Sequence, residues 1–224
     1  MLAESVAMAP DAAPQGLRAR RRRFTEDEIE RAAIDLFVAR GFDTVTVRDI
    51  ADAVDISERT FYRYFPTKEA VLRRDLDRRV EQLEDALDAR PADEPVLQAV
   101  HGALLELAER YEADRDRVMS WSQVRAATPG LDARLGAYDH AFVGSVTEMI
   151  AERLGVDPAT DLRVRTCAAA LLAATSSAST LWLTRGAHGP LVPMVRAALE
   201  LVETGLRADL DDRGNRRRRP LRSI

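Results

Sequence analysis

The sequence predicts an all-α protein, and three observations carry that prediction. Apolar residues recur at three- and four-residue spacings along almost the whole chain, whereas strand-like alternation hardly occurs. Aromatics make up only 5% of the 224 residues, while Ala, Leu, Arg and Asp are abundant. Glycines and prolines fall where the periodic stretches end, at Gly41, Pro91, Pro129-Gly130, Gly155 and Gly186. These breaks divide the chain into about nine helices, a short N-terminal group of three and a longer C-terminal bundle.

In chain order, residues 1–17 are rich in Ala, Pro and Gly and are expected to form a disordered leader. They lack the basic start and apolar run of a signal peptide. A basic arm follows, with Arg18 and Arg20 to Arg23. Thr25 and Glu28 have the S/T-x-x-E spacing of a capping box, which predicts the first helix from Thr25. Ile29, Ala32, Ala33, Leu36 and Phe37 form its buried face. Gly41 supplies the stop and Phe42 is placed to plug the core beyond it.

Thr46 caps a second short helix with Val47, Ile50 and Ala51 on one side. Val54 to Ile56 leave room only for a turn, after which Ser57 caps a third helix. Ile56 and Phe61 have the spacing of a hydrophobic staple. Helix, tight turn and helix within about twenty residues is the helix-turn-helix pattern, whose second helix enters a DNA major groove. With Phe61 and Phe65 packed inward, Ser57, Glu58, Arg59, Thr60, Tyr62, Arg63 and Tyr64 remain for the outside or its margins. Arg59 suits a guanine edge and Thr60 a thymine methyl, while the tyrosine hydroxyls and Arg63 suit phosphates. Glu58 complements the helix dipole or accepts from cytosine. The expected DNA contacts are therefore these seven, with Thr46, Val47 and Arg48 at the start of the preceding helix and Arg22 and Arg23 in the arm.

Residues 25–72 resemble the N-terminal domain of the tetracycline-repressor (TetR) family of bacterial transcription regulators. The residues that carry the resemblance are Ala32, Ala33, Leu36, Phe37, Gly41 and Phe42, then Thr46, Ile50, Ala51, Ala53, Ile56, Ser57, Thr60, Phe61, Tyr62, Tyr64, Phe65, Lys68, Glu69 and Leu72. One departure is Asp55, where members of the family usually carry Gly in the turn. Asp tolerates positive φ better than most residues, so the motif is expected to survive with some strain. Thr67 caps the next helix, with Lys68, the chain's single lysine, in the first turn. A cation there is unfavourable for the helix dipole unless an anion is near, and a DNA phosphate fits that part. The resemblance implies the same role for Lys68.

The fourth helix continues through Leu72, Leu76, Val80, Leu83 and Leu87 to Pro91. Five more are expected after Asp93, the third of them spanning 131–154 and the last two spanning about 159–185 and 191–206. The resemblance implies that this half binds a small molecule and pairs with a second copy through its last two helices. The small-residue run Ala168 to Ala178 and the face Leu191, Val195, Ala198, Leu199 and Val202 suit such a four-helix contact. Two-fold pairing would match a palindromic operator. Candidate pocket residues combine apolar bulk with a few polar groups: His101, Tyr111, Met119, Trp121, Gln123, Tyr138, Phe142 and Cys167, with Met149 beside them. The expected organisation is thus leader 1–17, DNA-binding domain 18–66, ligand-binding and dimerisation domain 67–206, and a basic disordered tail 207–224.

Charge and chemistry narrow the function further. The net charge is −4, yet five arginines of the arm and six between 213 and 222 leave the rest of the chain at −15 once set aside. The body is acidic and both ends are basic. An arginine arm beside a reading helix suits phosphates or a minor groove. No nucleophile, base and orienting group stand at telling spacing, and no glycine-rich phosphate loop occurs, so no enzyme and no cofactor are expected. The histidines are too dispersed for a metal site, and no run of 18 uninterrupted apolar residues suggests a membrane span. One cysteine, Cys167, leaves no disulfide framework and fits a reducing cytoplasm. The expected protein is a cytoplasmic homodimeric repressor, released from double-stranded operator DNA by a small-molecule effector. The alternative is a DNA-binding regulator without such a ligand, acting through protein contacts only.

Overall fold

A computed structural model describes residues 13–135 and 138–205, with side chains described from Arg22 onward except those of 132 and 138–141. Within these residues every regular element is a helix: α1 Ala13–Arg40, α2 Val47–Ala53, α3 Glu58–Tyr64, α4 Lys68–Asp88 and α5 Val96–Ala113. There follow α6 Arg115–Ala127, the five-residue α7 Leu131–Leu135, α8 Tyr138–Leu154, α9 Leu162–Thr184 and α10 Val192–Thr204. The helix expected over 131–154 is helical over both described stretches, α7 and α8, and residues 136 and 137 between them lie outside the described residues. Residues 1–12 of the expected leader and the expected basic tail 207–224 lie outside the described residues.

The first helix is longer than its capping signal suggests. Thr25 and Glu28 stand in the interior of α1, which has already begun at Ala13. Arg, Ala, Leu and Gln are good helix formers. An i,i+4 ion pair between Arg22 and Glu26 bridges the point where the start was expected. The arm from Arg18 to Arg23 is therefore helix and not coil, and 13–17 belong to the same helix.

The chain divides into two compact units, the first ending at Leu72 and the second beginning at Arg73, inside α4. The core of the first unit is built from Ile29, Ala33, Phe37, Phe42, Ile50, Phe61 and Phe65, all buried. Phe37 and Phe42 meet at 4.7 Å between ring centres, so Phe42 does plug the corner after Gly41, whose φ is +85°. Aromatic faces packed this way accompany the packing of α1 on α2 and of α2 on α3.

In the second unit, Leu83, Leu87, Leu104, Val146, Leu171, Trp182, Leu191, Val195 and Leu199 are buried in one cluster. There α10 packs on α9 and α5, and α9 on α8. Leu191, Val195 and Leu199 are fully buried within this one chain, so the face of α10 expected to meet a second copy is core instead. Periodicity identifies an apolar face correctly but does not say which surface covers it. By length and composition alone α9 would suffice to cross a membrane, yet only 22% of its apolar window is buried in the chain. The exposed side of α9 carries Ala169, Ala173, Ser176, Ser177 and Thr180, and that of α10 carries Ala197 and Thr204.

Candidate nucleic-acid interface

The head is assembled by caps. The Thr46 side chain accepts from Asp49 N at 3.2 Å, while Asp49 Oδ2 accepts from Thr46 N at 2.8 Å, which satisfies two amides of the α2 start reciprocally. Arg40, the last residue of α1, donates to Asp49 Oδ1 at 3.0 Å and fixes the corner between the two helices. The Thr46 hydroxyl, then its amide and Arg40, hold the Asp49 carboxyl down at about 2. Asp55 takes the positive φ of +54° expected for it, and Ile56 N donates back to Ala51 O at 3.0 Å. This is the tight turn between the two short helices.

Ser57 caps α3 by accepting from Thr60 N at 3.1 Å. Phe61 is 0% exposed and lies 5.8 Å from Phe65, so the back of α3 is sealed into the first unit. Ser57, Glu58, Arg59, Tyr62 and Arg63 are exposed, with Tyr62 at 52%, and Thr60 and Tyr64 are half-buried. The Arg22 guanidinium sits 6.0 Å from the Tyr64 ring and that of Arg63 at 5.1 Å. The helical arm is thereby brought beside the reading helix, and Arg23 next to it is exposed. Thr46 and Arg48 are exposed, Val47 is half-buried, and Arg48 stands 3.8 Å from Asp52.

Lys68 has a different use from the one expected. Its ammonium donates to Phe42 O at 2.7 Å, Val45 O at 3.0 Å and, more weakly, Asp43 O at 3.5 Å, and it lies 4.5 Å from the Phe42 ring centre. The group that offsets the unfavourable dipole at the α4 start is a set of loop carbonyls. Lys68 holds the corner between α1 and α2, and its three donors are directed inward.

The pocket candidates do not converge on one place. His101 Nε2 is 3.2 Å from Glu203 of α10, a close contact without hydrogen-bond alignment. Gln123 and Cys167 face solvent. Met119, Phe142 and Met149 pack half-buried against the core, and the Tyr138 side chain is outside the described residues. Tyr111 and Trp121 do meet, around Arg79, whose guanidinium is 4.6 Å from the Tyr111 ring and 5.4 Å from Trp121 and also donates to the Tyr111 hydroxyl. The residue at the centre was not foreseen: Asp75 of α4, its side chain 2% exposed. Arg79 lies 2.5 Å and Arg117 3.1 Å from its oxygens, and Arg78 bonds to it as well. In sequence, Asp75 with Arg78 and Arg79 reads as an ordinary solvated helix face. A separate open cleft of about 440 Å³ is lined by Val143, Gly144, Thr147, Glu148, Pro158 and Arg165, among others.

Comparison with known proteins decides the family. Residues 29–74 match the family model for bacterial regulatory proteins of the tetR family, and residues 94–207 match the MftR C-terminal domain. The chain is 35% identical over 176 residues to the HTH-type transcriptional regulator TcmR of Streptomyces glaucescens, a match covering 76% of this chain and 78% of that protein. The protein belongs to the TetR family.

A second TetR-type relative is the candidate mycofactocin biosynthesis transcriptional regulator MftR of Mycobacterium tuberculosis, 32% identical over 187 residues, with 84% of this chain and 93% of that protein covered. Among solved structures, the fatty acid degradation regulator FadR from Bacillus halodurans superposes with a TM-score of 0.61 at 18% identity, over 81% of this chain and 96% of that one. FadR from Bacillus subtilis in complex with stearoyl-CoA gives a TM-score of 0.58 at 16% identity, over 78% and 95%. These two likenesses establish the fold. The sequence relatives are transcription regulators and not enzymes, and this member is likewise a DNA-binding regulator with a helix-turn-helix head.

The cap of α2 makes the stability of this TetR head depend on acid. A carboxyl held at about 2, below its ordinary 3.8, contributes stability that is complete above about pH 4 and is lost as pH falls toward 2. In Asp49→Asn this acid-dependent part is absent. Urea midpoints measured between pH 2 and 6 should therefore fall less steeply with acid in the variant than in the parent.

Proposed function

We propose that the protein is a homodimeric repressor whose α3 helices read a palindromic operator and whose C-terminal bundle releases it when a small-molecule effector binds. The observation that carries the DNA half is the placement of Arg59, Tyr62 and Arg63 on the exposed side of a helix whose other side is sealed by Phe61. In this reading Arg59 faces base edges, and Thr60 lies beside it with its methyl toward thymine. Tyr62, Arg63, Tyr64, Arg22 and Arg23 meet phosphates, as do Thr46 and Arg48 at the start of α2. Ser57 spends its hydroxyl on the cap, and Glu58 complements the α3 dipole. The helical form of the arm favours a rod of arginines beside the backbone over a strand threaded into the minor groove. A regulator that works on DNA in this way acts in the cytoplasm.

The dimer reading rests on α9 and α10, as expected, but on their other faces. An apolar helix with only 22% of its apolar window buried is a poor solvent-facing element unless something covers it. The exposed small residues Ala169, Ala173, Ser177 and Ala197 allow close helix approach. A second copy related by a two-fold axis meets that need and sets two α3 helices against two half-sites.

The effector half rests on the C-terminal domain match and on likeness in fold to regulators solved with stearoyl-CoA and lauroyl-CoA. An acylated anion is therefore the first class to test. Effector and operator then weaken each other's binding by one common factor.

Two outcomes test the proposal. On a duplex selected from a random pool, log affinity should fall linearly with log salt, and Arg59→Ala should lose about 1–3 kcal/mol and relax specificity at one base position. A response flat in salt would remove phosphate-driven binding. In sedimentation, Ala173→Arg should give a folded monomer with weakened operator binding; a dimer that persists in this variant places the interface elsewhere.

A further inference from the structure

The cluster around Asp75 does more than close the core. Asp75 stands on α4, three residues past the last residue of the DNA-reading unit. Three guanidinium groups from two helices, those of Arg78 and Arg79 on α4 and Arg117 on α6, converge on its two oxygens. Gln82, Arg110 of α5, Asp114 and Val118 join them in lining a water-sized hollow of about 10 Å³ at this point. The Tyr111 hydroxyl lies in the same wall.

Two features distinguish this arrangement from a settled structural ion pair. The contact of Asp75 Oδ2 with Arg79 is close in distance but lacks hydrogen-bond alignment. The Trp121 ring centre lies 5.4 Å from the Arg79 guanidinium, and its buried indole N–H has no acceptor among the described residues. Buried donors are normally satisfied, so an N–H left without an acceptor here points to an oxygen that arrives with a ligand. Arg78, Arg110 and Arg117 are each a quarter to just over a third exposed, which opens the cluster to solvent.

We infer that this cluster is the seat for the anionic group of the effector, a carboxylate or a phosphate, and that Asp75 occupies it as an internal anion until the ligand displaces it. A place that holds a buried carboxylate among three guanidinium groups offers an incoming one the same donors, and Arg is suited to bind either anion in two-pronged fashion. Displacement frees Asp75 from Arg117 and so releases α4 from α6. Because α4 continues directly from the reading unit, this ties anion binding to the state of the DNA-reading head. The inference rests on the effector reading above, but the site itself is tested without DNA.

The measurement is binding to the full chain followed by calorimetry and by tryptophan fluorescence, with Trp121→Phe identifying the reporting ring. The probes are sodium laurate, lauroyl-CoA and the uncharged dodecanol. At least one of the two anions should bind saturably, and dodecanol at least ten-fold more weakly. Binding of laurate marks a carboxylate seat, and binding of lauroyl-CoA alone a phosphate seat. Arg117→Gln should weaken the anion about ten-fold, while Asp75→Asn, which removes the internal competitor, should tighten it by a similar factor. A merely structural ion pair would not produce that gain. Should Arg117→Gln fail to fold by circular dichroism, Arg110→Gln reads the same hollow from α5. Failure of both anions to saturate, equal binding of dodecanol, or Asp75→Asn binding the anion no better than the parent overturns the site. Anion binding that passes these tests but leaves operator affinity unchanged would instead remove the effector-release reading and leave the site standing.

Discussion

One ammonium group holds the DNA-reading head in register. The loop between α1 and α2 must turn the chain sharply, and its carbonyls at Phe42, Asp43 and Val45 have no helix or sheet to satisfy them. Lys68 reaches back 23 to 26 residues to donate to those oxygens while its charge rests against the Phe42 ring. Phe42 in turn is locked against Phe37 in the core. The start of α4 is thereby tied to the corner from which α2 departs, and α2 sets where α3 lies. Arg40 and the Thr46–Asp49 box close the same corner from the other side. The exposed face of α3 is useful for reading bases only because this corner fixes its angle.

How much of this was legible in the sequence depended on how local the governing chemistry is. The turn at Asp55, the cap at Ser57 and the burial of Phe61 each follow from residues within a turn or two of one another, and all three are found as expected. Lys68 was singled out, but its acceptors are backbone carbonyls far along the chain, which no residue type announces. The capping box at Thr25 was overruled because the preceding Ala, Leu and Arg residues favour helix strongly enough to carry it back to Ala13. On α10 the apolar stripe was identified correctly and assigned to the wrong surface. Leu191, Val195 and Leu199 serve the chain's own core. Asp75 is not legible in the sequence, because acid followed by arginines at i+3 and i+4 is what a solvated helix face also looks like.

The distribution of charge follows a single logic across the two halves. In the first unit, arginines stand exposed on the arm and on α3. In the second unit, arginines are instead drawn inward onto Asp75 and against the rings of Tyr111 and Trp121. A buried charge cluster is costly unless its partners are well placed, so it is a natural point at which a ligand of like chemistry can change the balance between two arrangements. The second unit carries its charged centre on α4.

The most direct test of this account is the operator affinity of Lys68→Met across a range of salt concentrations, measured beside its urea unfolding curve. If Lys68 holds the corner of the head, the variant unfolds at lower urea and binds operator weakly, while the slope of log affinity against log salt stays that of the parent. A variant of normal stability whose slope is shallower by about one phosphate contact would contradict the account, because Lys68 would then be touching DNA and not the carbonyls of its own chain.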